Sequence, residues 1–378
     1  MSEIWREKEW DDEELACVAA LAGLPGLGAA RLTWLLGIDT RPSLVWRRVV
    51  EWRLPAQRPL PGRTASRWRT YAEKTSPTRV RERYDRAGVR ILTPGSRDYP
   101  SRLFEDPEAP PVLFAVGDLR CLDGPTAAVV GTRRCTGYGR DAARLLGRRL
   151  AEAGVVVVSG LAAGIDVAAH RGALAARTAP VVGVAGTGLD VVYPPESRDV
   201  WAATRERGVL LSEAPLGHGG ARWRFPERNR IMAALADVVV VVESPARGGS
   251  LITVDHAARR AVPVMAVPGP ITSPTSAGPN RLVADGCGVV CDADDVLLEL
   301  GVPLRPGPAR RVSRGGRPEP ASGEDRRVLA AVDATPTAFD RVMARTEMAA
   351  LDLASALYRL EADGWVRAGA TGWERRPR

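Results

Sequence analysis

Nine residues past the middle of the chain, Arg222-Trp-Arg-Phe-Pro-Glu-Arg-Asn-Arg230, interleave four arginines with two aromatic rings. A guanidinium is a planar, permanently charged fork that grips phosphate oxygens, and an aromatic face stacks on unpaired bases. The segment therefore points to nucleic acid, with a solvated basic loop as the alternative. Other segments carry glycines and hydroxyls just ahead of helical stretches: Gly131-Thr-Arg-Arg-Cys-Thr-Gly-Tyr-Gly139, Ser159-Gly-Leu-Ala-Ala-Gly-Ile-Asp166 and Glu243-Ser-Pro-Ala-Arg-Gly-Gly-Ser-Leu-Ile-Thr253. Glycine lets backbone approach a ligand, and a helix start offers free amides to an anion. Ala266-Val-Pro-Gly269, with Gly278 and Asn280 further on, adds a fourth such turn.

Chemistry of the bond-breaking kind is harder to find. Asp166 and His170 are four apart and share a helix face. With no nucleophile beside them, they read as structural hydrogen-bonding groups rather than an acid–base couple. Gly183-Val-Ala-Gly-Thr-Gly188 resembles a nucleotide loop, but the Leu-Asp-Val-Val-Tyr-Pro-Pro that follows cannot continue as a helix, so a structural turn is expected. Three scattered histidines and five scattered cysteines (Cys17, Cys121, Cys135, Cys287 and Cys291) give no metal spacing and read as reduced thiols. We expect no catalytic residues, no metal and no cofactor.

The loops must be positioned by the elements before them. Continuous apolar runs at 127–130, 155–158, 181–185, 209–211, 238–242 and 262–267 read as strands buried on both faces. Helical stretches at 140–153, 165–176, 198–207, 229–235 and 251–261 separate them. Strands joined by helices imply a doubly wound parallel sheet, which binds ligands at the carboxyl ends of its strands. All four loops above fall at such ends.

Around this α/β region, 91–301, the sequence changes character. Residues 1–90 read as short helices, broken at Gly23-Leu-Pro-Gly-Leu-Gly28 in the manner of a sterile-alpha-motif or helix-hairpin-helix unit. That breaker serves either as a plain helix turn or as a phosphate contact. Residues 302–323, rich in Pro, Gly and Arg, read as a flexible basic linker. Residues 324–378 pattern as three helices and a short hairpin turning near Gly369–Gly372, a winged helix, which binds DNA or protein.

Net charge is +8, and 51 of the 53 basic residues are arginine. Residues 41–90 alone hold thirteen arginines and Lys74 against four carboxylates, a balance of +10, so a polyanion partner is plausible. The acidic start MSEIWREKEWDDEE lacks a signal-peptide core, and the longest aliphatic run, Val238–Val242, is too short for a bilayer. A soluble, cytoplasmic protein without membrane contact is expected.

At these residues the chain resembles the DprA/Smf family of DNA-processing proteins. The matching segments run in order: Tyr99–Leu103; Val130–Arg133 with Gly137-Tyr-Gly139; Ser159-Gly-Leu-Ala with Gly164-Ile-Asp166 and Ala169-His170; Tyr193-Pro194; Ser212-Glu213; Phe225–Ile231; Glu243 with Gly249–Thr253; and Ala266–Gly269 with Gly278 and Asn280. The resemblance implies an extended Rossmann-like domain that forms a homodimer and binds single-stranded DNA in a basic pocket. It also implies loading of the RecA recombinase, displacement of single-strand-binding protein and a role in natural transformation. Carried across by motif, Arg133, Phe225, Arg228, Asn229 and Arg230 are the expected DNA contacts, supported by Gly131, Ser159, Gly160, Arg247 and Ser250. Gly248 and Ala236 stand where the family often has serine. Two other readings remain: a nucleotide-processing enzyme of the lysine-decarboxylase-like phosphoribohydrolase type, and a protein-interaction scaffold acting through the winged helix.

Overall fold

The computed structural model describes residues 8–55, 61–304, 320, 322–369 and 371–376. Five helices come first: α1 (Asp12–Ala22), α2 (Ala29–Leu36), α3 (Pro42–Val50), α4 (Gly62–Lys74) and α5 (Pro77–Ala87). Asp11 caps α1 by accepting from the Glu14 amide at 2.9 Å, and Pro77 opens α5, where a missing amide hydrogen does no harm. The breaker at 23–28 is the turn between α1 and α2.

The α/β region begins with β1 (Arg90–Leu92), α6 (Ser101–Phe104) and β2 (Leu113–Gly117). Alternation then sets in: β3 (Thr126–Val130), α7 (Gly137–Glu152), β4 (Val156–Ser159), α8 (Ile165–Ala176), β5 (Val181–Ala185), α9 (Arg198–Arg207), β6 (Val209–Ser212), α10 (Arg224–Leu235), β7 (Val238–Val241), α11 (Leu251–Arg259), β8 (Val264–Ala266), α12 (Ala277–Ala284), β9 (Gly288–Val289) and α13 (Ala293–Glu299). Beyond lie α14 (Gly323–Ala331), α15 (Phe339–Thr346), α16 (Ala350–Ala362) and the antiparallel hairpin β10 (Val366–Gly369) and β11 (Gly372–Arg375). This last unit has a core of its own, built on Val328, Leu353, Leu357 and Trp365. Most of the expected linker 302–323 lies outside the described residues.

The nine-stranded sheet runs β1-β2-β6-β5-β4-β3-β7-β8-β9. From β6 to β9 every pairing is parallel. The doubly wound parallel expectation needs one amendment: β2 pairs antiparallel with β6, and β1 with β2. β1 and β2 carry no helical crossover between them, only the four-residue α6, so nothing forces them parallel. Alternate residues of the central strands feed two cores. Ala127, Val129 and Val157 face α7, α8 and the N-terminal helices, whereas Ala128, Val130 and Val158 face α10 and α11. The chain winds from β3 outward to β6, then returns through α10 to β7 on the other side of β3. The loops after β3 and β7 therefore diverge at the switch point, where an open sheet leaves a crevice.

Candidate nucleic-acid interface

That crevice is an open cleft of about 770 Å³ lined by the loops after β3 and β7 and by the first half of α10. Arg133, Arg134, Arg222, Arg228 and Arg247 face it, and Asp166 is the one carboxylate among the lining residues. Such a wall favours an anion.

An aromatic stack stands at its side. The Arg133 guanidinium lies 4.7 Å from the centre of the Phe225 ring, and the Tyr193 ring lies 5.3 Å from it on a 35° tilt. The turn after β5 seats Phe225: a Cβ added at Gly186 would come within 2.8 Å of the ring. Of the expected turn at Gly183–Gly188, the first three residues are the end of β5 and Gly186–Gly188 form the turn, whose first glycine serves this close approach. Tyr193 was not among the expected contacts. The signal was an aromatic residue in a loop after a strand, passed over because that loop read as structural.

Arg228 is the buried member of the wall. One of its terminal nitrogens donates to the Val184 carbonyl, and its Nε, also buried, has no partner. Burial pushes its pKa down to about 10, with the nearby Asp166 carboxylate opposing the fall. Burial in turn raises the pKa of Asp166, against the pull of Arg228. Gly160 exists for this arginine, because a Cβ there would sit 1.7 Å from a guanidinium nitrogen.

The remaining expected residues divide. Gly131, Arg247 and Ser250 line the cleft, the Ser250 hydroxyl donating to Ser244 Oγ at 2.8 Å. Asn229 also lines it but spends its side-chain amide on the Gly249 carbonyl at 3.2 Å, shaping the loop after β7. Two of the expected residues lie away from the cleft. Ser159 is fully buried and its hydroxyl donates to the Val129 carbonyl at 2.7 Å, so it ties β4 to β3 and faces no cleft. Arg230, two residues past Arg228 on a helix, points the other way: it donates to the Glu108 carbonyl and pairs with Glu213. Gly160 is a spacer whose amide is taken by Asp166 at 3.2 Å.

Asp166 and His170 do not bond each other. His170 Nε2 lies 3.1 Å from the Val182 carbonyl, and burial lowers its pKa to about 4, so the ring is neutral. Glu243 is also committed: it accepts from the Thr136 amide, the Thr136 hydroxyl and the Thr275 hydroxyl. At the 23–28 turn, Gly28 packs beside Trp223 and Glu227 while Gly26 is open. Among the described residues no group of His, Cys, Asp and Glu is arranged to hold a metal, and no helix is long and apolar enough to cross a membrane.

A Rossmann-like sheet with a basic, aromatic-edged cleft at its switch point defines the class: an α/β protein whose strand ends carry unpaired positive charge. Residues 90–301 match the family model of the DNA recombination-mediator protein A, and residues 313–370 match the DprA winged helix domain. The chain belongs to the DprA family. It is 34% identical over 323 residues to protein Smf of Synechocystis, covering 77% of this chain and 81% of that one. Among solved structures it resembles DNA processing protein A of Streptococcus pneumoniae, with a TM-score of 0.63 and 27% identity over 79% of this chain and all of that one. It also resembles the Helicobacter pylori protein, whose structure is described for its single-stranded-DNA binding mode, with a TM-score of 0.50 and 29% identity over 56% of this chain and 95% of that one.

Proposed function

We propose that the cleft binds single-stranded DNA and that the protein acts as a recombination mediator, protecting the strand and passing it to RecA in place of single-strand-binding protein during DNA uptake. The carrying observation is the Tyr193–Phe225–Arg133 stack beside a wall of five arginines and one carboxylate. Only an unpaired strand offers base faces to the rings and phosphates to the guanidinium groups together. Family membership and the relative described for single-stranded DNA binding support the same reading. A homodimer is part of it.

The enzymatic alternative has less to stand on. A nucleotide hydrolase needs a carboxylate free to activate water, but both oxygens of Glu243 are engaged in hydrogen bonds and Asp166 is buried behind Arg228.

Fluorescence anisotropy with matched single- and double-stranded oligonucleotides tests the binding step. Tight, salt-sensitive binding of the single strand is expected, with log affinity falling linearly in log salt. Equal affinity for duplex would sink the base-stacking argument. RecA loading is checked by RecA's DNA-dependent ATP hydrolysis on a strand pre-coated with single-strand-binding protein, which should start sooner when this protein is added.

A further inference from the structure

α4 displays Arg63, Arg67 and Lys74 on one exposed stripe. At 100° per residue the three fall within about 40° of one another, spaced about 6 Å and about 10 Å along the axis. The opposite face holds the buried Trp68 and Ala72, so the stripe's orientation is fixed by packing. None of the three has a carboxylate partner among the described residues. Arg41, Arg48, Arg53, Arg81, Arg83 and Arg90 of the same region pair with Glu14, Asp39, Glu51, Asp12 and Asp85, Asp190 and Asp98, whereas Arg47, Arg69, Arg79 and Arg86 lack a carboxylate partner among the described residues, like the stripe, but do not share its face. Unneutralised like charges along one helix face repel, and an anionic ligand relieves that repulsion.

α4 is held on the cleft side of the molecule through its inner face, with the stripe turned away from that contact. Trp68 Nε1 donates to the Pro25 carbonyl at 3.1 Å, and the Tyr71 hydroxyl donates to the Ala20 carbonyl at 3.1 Å, fixing α4 on the α1–α2 turn. Gly28 of that turn lies against Trp223. Trp223 is 42% exposed, carries Arg224 stacked over its ring, and precedes Phe225 of the cleft by two residues.

We propose that the α4 stripe is a second nucleic-acid contact, gripping the phosphates of the same strand after it leaves the cleft past Trp223. The inference rests on single-strand binding in the cleft, and the test separates the two. The full chain and its R63A/R67A/K74A variant are titrated by anisotropy with an oligothymidylate of about 8 nucleotides, short enough for one site, and one of about 30. The variant should bind the short strand like the unaltered chain and the long strand about tenfold more weakly, with a log–log salt slope shallower by about 2. Replacement of all three positions by the opposite cation (R63K/R67K/K74R) should keep long-strand affinity, since only charge is required. Equal affinities of variant and unaltered chain for both lengths overturn the proposal, as does an equal loss on both, which would place the residues in the cleft's own site. Failure of the unaltered chain to bind the short strand would instead refute the cleft.

Discussion

The two ends of the sheet use the same residue for opposite purposes. At the amino ends of β3 and β7, Arg102 reaches the Asp237 carboxylate, the Thr126 hydroxyl and the Gly124 and Leu235 carbonyls, a saturated staple. At the carboxyl ends, Arg133, Arg134, Arg222 and Arg247 line an open cleft and form no ion pair among the described residues. The side chain is the same in both places. What separates a structural rim from a binding rim is whether the charge is already neutralised, which is a property of geometry rather than composition.

α10 compresses this contrast into two residues, and the largest expected effects break it there. Arg230 belongs to the saturated kind, paired with the half-buried Glu213. Arg230→Ala should destabilise the fold by about 2–3 kcal/mol, because it strands a largely desolvated carboxylate. The folded fraction should still bind single-stranded DNA with unchanged affinity. Urea denaturation followed by tryptophan fluorescence reads the first, anisotropy the second. A stable Arg230→Ala protein that had lost DNA binding would reverse the assignment of the two arginines.

His170 should contribute on a similar scale through pH. Its folded pKa, about 4, lies below the ordinary 6.5, so the unfolded chain binds a proton that the folded chain refuses. Stability from this group is full above pH 6.5 and falls as pH drops toward 4, by at most about 3 kcal/mol. Comparing urea midpoints of the unaltered chain and His170→Gln across that window isolates its share. Parallel pH profiles would show the ring to be free to protonate.

Next in size are the effects that sharpen the binding end. Phe225→Ala removes the centre of the stack and should weaken single-strand binding by about 1–3 kcal/mol, roughly fivefold to 150-fold. The melting temperature should change little by comparison, since the ring is only half-buried at the cleft wall. Tyr193→Ala should follow at the lower end of that range. Loss from Phe225→Ala without loss from Tyr193→Ala would confine stacking to one ring.

Much of this contrast was legible in the sequence, and the unread part has a physical cause. The buried strands β3 to β8 showed as unbroken aliphatic runs, because a strand covered on both faces has no polar position to hide. Strand ends rich in glycine and arginine then located the cleft. Periodicity could not say that Arg228 faces the cleft while Arg230 faces Glu213, because both lie on a short helix whose rotation is set by packing. Nor could it separate Tyr193 from an ordinary turn residue, since its partner Phe225 lies 32 positions along the chain. The antiparallel pair β1 and β2 was missed for want of a crossover helix or an alternating polar face to mark it.

The smallest expected effect tests the contrast at its boundary. Ser159 ends β4 immediately before Gly160, in a glycine-rich motif at the binding end of the sheet, and by sequence it belongs with the ligand contacts. By geometry it belongs with Arg102, because its buried hydroxyl is spent on the Val129 carbonyl of the neighbouring strand. Ser159→Ala therefore removes one buried hydrogen bond, for a loss of about 1 kcal/mol in unfolding free energy. Single-strand affinity at matched salt should stay the same, as should its salt slope, because no phosphate contact is lost. A shallower slope with undiminished stability would mean that this hydroxyl turns outward when DNA binds. The line between saturated and available groups would then run one residue deeper into β4.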